Sequence, residues 1–211
     1  MSWIVAIENS LPYWLLVSFF GLYPVVTSIF WIIGGMFYHF RRDKRIPPKA
    51  EYTGDFPFVS ILIPAYCEEE TIALALEGAL CLDYPDFEVI AINDGSVDGT
   101  VQRVLPFLAD PRVRLLDKHI NEGKAMALND ALICAKGDLV LVMDADSIPD
   151  RMLLRRMVPH FAWPNVGAVA GNPRVRNRRS LLAKLQAVEF TSVIGLLRRA
   201  QRIWGRVMCV S

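Results

Sequence analysis

The chain has 211 residues and a mass of 23.8 kDa, 53% of its residues are hydrophobic, and its formal net charge is +1. This length suffices for one good-sized core, and the hydrophobic excess points to a membrane segment. Because the near-neutral charge provides no general basic surface, no nucleic-acid partner is expected.

The first predicted element is a transmembrane helix over residues 13–40, after a short N-terminal segment, residues 1–12. No Asp, Glu, Lys or Arg occurs between Asn9 and Phe40, and roughly 20 apolar residues are enough to cross a bilayer. A cleaved signal peptide is disfavoured because Met1–Ser10 has no Lys or Arg. A buried core helix would rarely run so long without a charge.

A basic segment, "RRDKR" at residues 41–45, follows the apolar run directly. By the positive-inside tendency, the chain after residue 41 is expected in the cytoplasm. Residues 41–57 are predicted to form this basic juxtamembrane segment and a proline-containing linker. The four cysteines form no C-x-x-C pair, so neither a zinc site nor a disulfide framework is indicated.

From residue 58 onwards, apolar runs alternate with amphipathic segments. The pattern predicts an α/β fold, with a mostly parallel sheet and helices on both faces, for a domain over residues 58–211. The predicted strands are "FVSILIPAY", "FEVIAIND", "RVRLLDK" and "DLVLVMDAD", and the predicted helices are "EEETIALALEGAL", "DGTVQRVLPFLAD" and "GKAMALNDALICAK". A long amphipathic helix over Ser180–Trp204 either packs against the sheet or lies partly at the membrane surface.

Polar clusters follow three of these strands: "AYCEEE", "NDGSVDGT" and "DADS". Each could serve only as a turn or a helix cap. Ligands of open α/β sheets, however, bind beyond the carboxyl ends of the strands, where these clusters would meet. Mg²⁺ or Mn²⁺ would relieve the repulsion between Asp144 and Asp146, and Lys124 could bind phosphate. Together they outline a nucleotide-diphosphate site.

A family resemblance covers about residues 57–211. The stretches "VSILIPAYCEEE", "VIAINDGSVDGT", "NEGKAMALNDAL", "LVMDADSIPD" and "VGAVAGNPRVRNRRSLLAKLQAVEF" resemble, in order and spacing, the processive family 2 glycosyltransferases. The similarity is greatest to the bacterial poly-β-1,6-N-acetylglucosamine synthases. It implies a GT-A-like (Rossmann-like) fold and a biofilm-polysaccharide enzyme in the bacterial inner membrane, with its catalytic domain in the cytoplasm.

The resemblance also implies roles for residues that bind the nucleotide. Tyr66 and Glu68 match positions near the uracil, and Asp94 matches the carboxylate that binds the uridine. Lys124 matches a basic residue near the diphosphate. One departure is Cys67, where the family usually has Asn, so any hydrogen bond made by that amide is in doubt.

The catalytic D-x-D motif of the family matches Asp144 and Asp146. The resemblance implies that Asp146 is the more direct ligand of Mg²⁺ or Mn²⁺, and that Asp144 lies towards the sugar nucleotide. The implied reaction is an inverting transfer, in which the metal neutralises charge on the departing UDP.

The family's general base belongs to a "T-E-D"-like motif, which is followed by a "Q-x-x-R-W" motif, and neither occurs in this sequence. The expectation is therefore an amino-terminal fragment that binds a UDP-sugar donor but makes no polymer alone. UDP-N-acetylglucosamine is the favoured donor and a growing polysaccharide the acceptor. Membrane lipid is an expected partner, and a small accessory membrane subunit could be another.

Two alternatives remain open from the sequence. The chain could belong to a non-processive transferase that loads one sugar onto a lipid carrier. It could also be a non-catalytic, membrane-anchored nucleotide-binding subunit.

Overall fold

The computed structural model describes residues 10–43, 56–162, 166–176, 178–191, 195 and 200–201. The chain divides into two compact units, one formed by residues 1–50 with 168–211 and the other by residues 51–167. Most of the predicted linker, and most of the predicted helix beyond residue 191, lies outside the described residues. The predicted domain boundaries therefore stay predictions.

The first unit contains a long apolar helix, α1 (Leu11–Tyr38), which continues into a wider turn over His39–Asp43. The Ser10 hydroxyl caps α1 by accepting a hydrogen bond from the Tyr13 N–H at 3.4 Å. At 28 residues the helix is about 42 Å long. The stretch Leu11–Arg41 has a mean hydropathy of 2.0, and none of its most apolar segment is buried inside the protein. By length and composition, α1 could cross a membrane, as predicted.

Two hydroxyl side chains of α1, those of Thr27 and Ser28, are satisfied within the helix. The Thr27 hydroxyl donates to the Tyr23 carbonyl at 2.8 Å, and the Ser28 hydroxyl donates to the Pro24 carbonyl at 2.6 Å. Such local hydrogen bonds satisfy hydroxyl groups in a helix that could be surrounded by lipid.

The second unit contains a sheet of four parallel strands in the order β3-β2-β1-β4. Val59 pairs with Phe87 on one side and with Leu139 on the other, which makes β1 central. This arrangement confirms the predicted parallel sheet. The strands are β1 (Val59–Ala65), β2 (Phe87–Asp94), β3 (Val113–Lys118) and β4 (Leu139–Val142).

Helices cover both faces of this sheet. Residues of α2, α3 and α5 belong to the core on one face, and Ala127 and Ala131 of α4 belong to the core on the other. The helices are α2 (Ile72–Leu80), α3 (Thr100–Val104), α4 (Lys124–Cys134) and α5 (Leu153–Met157), and α6 (Leu181–Glu189) lies in the first unit.

The central strands are buried on both faces, which explains their continuous apolar runs. Ile61 and Ile63 of β1 point into the core below α2, whereas Leu62 packs with Ile90 and Ile92 below α4. All five side chains are at most 2% exposed.

A buried polar network connects the amino ends of the strands. Glu88, only 5% exposed, accepts hydrogen bonds from the Ser60 hydroxyl at 2.7 Å, the Arg114 guanidinium at 2.9 Å and the Lys136 N–H at 2.8 Å. Burial raises the pKa of Glu88, but the hydrogen bonds from Lys136, Ser60 and Arg114 outweigh it and hold the pKa below its ordinary value. This network stabilises the amino ends of the strands, at the end of the sheet opposite the polar clusters predicted from the sequence.

Candidate functional site

The strand order places a topological switch point between β1 and β4. The chain proceeds from β1 to β2 and β3 on one side, and then crosses to β4 on the other side of β1. The loops after adjacent strands separate at such a point and leave a crevice beyond the carboxyl ends. Tyr66 and Glu68 follow β1, Asp94 ends β2, and Asp144 and Asp146 follow β4.

Asp94 is buried at the end of β2, where it fastens the loop before α4. Its two carboxylate oxygens accept hydrogen bonds from the backbone N–H of Glu122 at 3.2 Å and of Gly123 at 2.9 Å. The residue is only 4% exposed. Asp94 therefore positions the loop from which Lys124 emerges, a role that the sequence did not indicate.

Two glycines make this loop attachment sterically feasible. Gly123 has a φ of +89°, and Gly95 has a φ of +70°, both in the region that favours glycine. A Cβ on Gly95 would also lie 2.6 Å from the backbone nitrogen of Asn121. The turn after Asp94 and the loop before α4 can approach this closely only because position 95 has no side chain.

Lys118 provides the positive charge beside Asp94. Its ammonium lies 3.9 Å from Asp94, 2.8 Å from Glu122 and 2.6 Å from Asp130, and its side chain is 10% exposed. Hydrogen bonds to Asp130 and Glu122 raise the pKa of Lys118. Sequence analysis missed this residue, because its position opposite Asp94 depends on the register between β2 and β3, which the sequence does not show.

Lys124, the first residue of α4, forms an ion pair with Asp144 in the turn after β4. Both side chains are 58% exposed, so the pair lies at the surface of the crevice and is open to solvent. The structure thereby brings together two predicted site residues that are 20 positions apart in sequence. A Lys and a carboxylate in this arrangement can bind phosphate and a cation, respectively.

Asp146 lies in the same turn, which is closed by a hydrogen bond of 3.0 Å from the Ser147 N–H to the Asp144 carbonyl. The Asp146 carboxylate is exposed, and the one hydrogen bond that it accepts from the described residues is long, 3.3 Å from the Ser147 hydroxyl. Within the described residues, no Lys, Arg or His side chain forms an ion pair with it. Asp146 is therefore the more available of the two carboxylates for a metal ion.

The residues fit a divalent cation that a nucleotide would help to hold. No cluster of three or more His, Cys, Asp or Glu side chains suited to a metal ion occurs among the described residues. Mg²⁺ is commonly bound by only one or two carboxylates together with substrate phosphates. The D-x-D turn provides that minimal set of ligands, one of which also pairs with Lys124.

The loop after β1 is fixed by its own short hydrogen bonds. Glu68 accepts one from the Thr71 hydroxyl at 2.6 Å and donates its N–H to the Thr100 hydroxyl at 2.9 Å. Its carboxylate thus supports the start of α2. Tyr66 is 49% exposed. The roles of Tyr66 and Glu68 near the uracil stay predictions.

The loops after β1 and β2 bind each other reciprocally. Glu69 accepts a hydrogen bond from the Gly99 N–H at 2.7 Å, and its own N–H donates to Asp98 at 3.3 Å. The Thr100 hydroxyl also donates to Asp98 and lowers the pKa of that carboxyl. Sequence analysis weighed these acidic residues as caps or turns, and missed this connection. A shallow pocket of 310 Å³ lies here, lined by Cys67, Glu68, Glu69, Glu70, Thr71 and Asp98.

Cys67 has a φ of +55°, in the left-handed region. Among residues with a side chain, Asn tolerates this conformation best. Backbone geometry thus explains why the family that this sequence resembles usually has Asn at this position. The Cys67 N–H still donates to the Ser96 hydroxyl at 3.0 Å, so the loop remains attached to the turn after β2.

Comparisons with known proteins agree with this geometry. The sequence profile of glycosyl transferase family 2 matches residues 60–209 of this chain. The chain is 36% identical over 199 residues to a poly-beta-1,6-N-acetyl-D-glucosamine synthase of Staphylococcus epidermidis, covering 92% of this chain and 48% of the relative. The corresponding protein of Staphylococcus aureus (strain COL) is 37% identical over 198 residues, with the same coverage.

A solved structure with a related fold is a mannosyltransferase from Pyrobaculum calidifontis in complex with GDP-Man and Mn²⁺. Its TM-score is 0.57 and its sequence identity 30%, over 71% of this chain and 48% of that chain. The chain spans about half the length of the curated relatives it matches.

Proposed function

Because this chain belongs to glycosyl transferase family 2, we propose that it is the donor-binding half of a membrane-anchored, inverting glycosyltransferase. In this proposal the whole enzyme uses a UDP-sugar to extend a β-linked polysaccharide. The observation that carries it is the contact between Lys124 and Asp144 across the crevice. That contact brings the Lys124 ammonium, which can bind phosphate, and the D-x-D turn to the same end of the sheet.

The proposed nucleotide site extends from the loop after β1 to the turn after β4. Tyr66 and Glu68 lie near the uracil, and Asp94 supports the uridine side of the site while it holds the loop before α4. Lys124 binds the diphosphate. The strands β2, β1 and β4 are adjacent in the sheet, so the proposed nucleotide lies across the carboxyl ends of these three strands.

Asp146 and Asp144 would hold Mg²⁺ or Mn²⁺, with Asp146 the primary ligand because its carboxylate does not compete with an ion pair. When bound, the cation supplies Lewis-acid stabilisation for the charge that develops on the departing UDP. The chain's own contribution is to hold the diphosphate against Lys124 and to orient it from the rigid end of the sheet. The acceptor hydroxyl would be deprotonated by a base outside this sequence.

The relatives named as poly-beta-1,6-N-acetyl-D-glucosamine synthases favour UDP-N-acetylglucosamine as the donor and poly-β-1,6-N-acetylglucosamine as the product. Helix α1 would anchor the enzyme in the bacterial inner membrane, and the basic residues after it favour a cytoplasmic donor-binding unit.

Calorimetric titration of the detergent-solubilised chain with UDP-N-acetylglucosamine tests the proposal. Binding is expected in the presence of Mn²⁺ and not in the presence of EDTA, and Asp146→Ala should abolish it. Glu77→Ala is the matched control, since it removes an exposed carboxylate from the far half of α2. Absence of binding by the folded chain, or equal binding by both variants, would contradict the proposal.

A further inference from the structure

We propose that α6 and the arginine-rich segment before it form a docking surface for anionic lipid. The surface consists of an apolar row on α6, made up of Leu181, Leu182, Leu185 and Val188, and of three arginines, Arg174, Arg176 and Arg178. The proposal goes beyond donor binding and does not depend on it.

The apolar row is unusually exposed for its composition. Leu181, Leu182, Leu185 and Val188 are 75%, 77%, 58% and 65% exposed, respectively. Spacings of three and four residues place them on one face of the helix. The helix itself is well formed, since the Ser180 hydroxyl accepts a hydrogen bond from the Ala183 N–H at 3.1 Å. A large exposed apolar patch of this kind marks an interaction surface.

The arginines before α6 are exposed. Among the described residues, no acidic side chain forms an ion pair with Arg174, Arg176 or Arg178. Arg178 uses its Nε to donate to the Val175 carbonyl at 3.1 Å, which directs its guanidinium along the segment. Arg174 and Arg178 also line a pocket of 380 Å³ beside the end of α6.

The charge of the whole sequence is divided sharply between its two units. Residues 168–211 contain eight Arg and one Lys but only one Glu, whereas residues 51–167 contain 19 acidic and nine basic residues. The formal net charge of +1 conceals this division. The positive charge is concentrated in the unit that contains α1. Basic residues close to an anionic bilayer surface strengthen binding to it.

The chain after α6 contacts the end of α1 that precedes the basic juxtamembrane residues. A Cβ on Gly34 would lie 3.0 Å from the Cβ of Ala200, and Ala200 is 1% exposed. Gly35 and Tyr38, in the last turns of α1, are also buried. This packing ties residues 200–201 to the membrane-boundary end of the candidate spanning helix.

These observations favour lipid over a protein as the occupant of the surface. An apolar helix face with cationic side chains on the adjoining segment is the composition of helices that lie in the bilayer interface. The tether to α1 keeps that face close to the bilayer. A protein partner would account for the apolar row, but it would not explain why the same unit concentrates the positive charge.

Site-directed spin labelling of the whole chain in lipid nanodiscs tests the proposal. The four native cysteines are replaced by serine, and the label is attached to Leu185→Cys, in the row, or to Gln186→Cys, outside it. Nanodiscs contain phosphatidylcholine alone or mixed with phosphatidylglycerol. Relaxation by oxygen, which enters lipid, is compared with relaxation by a water-soluble nickel complex.

The label at position 185 should be reached by oxygen and shielded from nickel in the anionic nanodiscs, and should be severalfold less shielded without phosphatidylglycerol. The label at position 186 should remain accessible to nickel in both. A variant with Arg174, Arg176 and Arg178 changed to glutamine should lose the effect of phosphatidylglycerol. Circular dichroism verifies that each variant retains its helices.

Two results would overturn the proposal. Access of nickel to position 185 in anionic nanodiscs would place the row in water. Shielding of position 185 from both reagents would mean that protein, and not lipid, covers α6.

Discussion

Lys124 and Asp144 form an ion pair that joins the first residue of α4 to the turn after β4. In this arrangement the Lys124 ammonium pairs with the Asp144 carboxylate, which a divalent cation would also use as a ligand. A diphosphate that attracted Lys124 would release Asp144 to the cation, so metal and nucleotide should bind more tightly together than separately. Such mutual strengthening is a coupling between two ligands, and it is reciprocal.

The variant Lys124→Met tests this competition. It should weaken binding of UDP-N-acetylglucosamine with Mn²⁺ by about tenfold, or about 1.4 kcal/mol, because the diphosphate loses its cation. It should also strengthen binding of Mn²⁺ alone, because Asp144 loses its partner. Electron paramagnetic resonance of free Mn²⁺ and calorimetry measure the two effects. Lys136→Met, which removes an exposed ammonium beyond α4, should change neither affinity.

Asp94→Asn should loosen the loop before α4. The amide keeps only one acceptor oxygen for the N–H groups of Glu122 and Gly123, and Lys118 loses a nearby negative charge. A loss of about 1–3 kcal/mol in the free energy of unfolding is expected from the unsatisfied buried groups. Hydrogen exchange of residues 119–123 should accelerate more than exchange in β1. Equal acceleration throughout the sheet would argue against a local role for Asp94.

Stability should depend on the buried carboxylate of Glu88 in a defined pH range. Its pKa is held below the ordinary value of 4.5, so its ionised form stabilises the fold above that pH. The contribution should be lost as the pH falls through the lower value of the folded chain. Glu88→Gln should therefore lower the free energy of unfolding by about 2 kcal/mol at neutral pH. The loss should be smaller at pH values below the pKa of Glu88 in the folded chain.

Chemical denaturation at several pH values measures this difference. Glu77→Gln provides the comparison, because that carboxylate is exposed in α2 and should contribute little at any pH. A gap between the wild type and Glu88→Gln that stayed constant on acidification would contradict the role assigned to the charge.

Cys67→Asn should stabilise the chain by about 0.5–1 kcal/mol, because Asn adopts the left-handed backbone of this position more readily. Cys67→Ala is the control, since it removes the thiol and gains no such preference. Thermal unfolding of the two variants separates the backbone effect from loss of the thiol. Equal melting temperatures would mean that the backbone conformation at position 67 costs little.

Much of the sheet could be predicted because its strands are buried on both faces. The predicted strand "FEVIAIND" coincides with β2, Phe87–Asp94. Helix α5 was missed, because a five-residue helix, Leu153–Met157, is too short to show a helical period. The predicted helix "DGTVQRVLPFLAD" is α-helical only from Thr100 to Val104, because Pro106 has no backbone N–H to continue the helix.

The site could be predicted only as far as its residues follow strands. The order of the loops anticipated that Lys124 and Asp144 would meet. The place of Lys118 beside Asp94 depends on the register between β2 and β3, and the bond between Glu69 and Gly99 depends on how two loops close over each other. Neither relationship leaves a local pattern in the sequence.

Electron–nuclear double resonance of Mn²⁺ in the presence of the chain and UDP-N-acetylglucosamine tests the central claim most directly. The account predicts a ³¹P coupling from the donor's diphosphate to a Mn²⁺ ion bound by the chain, and its loss in Asp146→Asn but not in Glu77→Gln. Bound Mn²⁺ with no phosphorus coupling, or a coupling that survives in Asp146→Asn, would contradict the assignment of the D-x-D turn as the metal–diphosphate site.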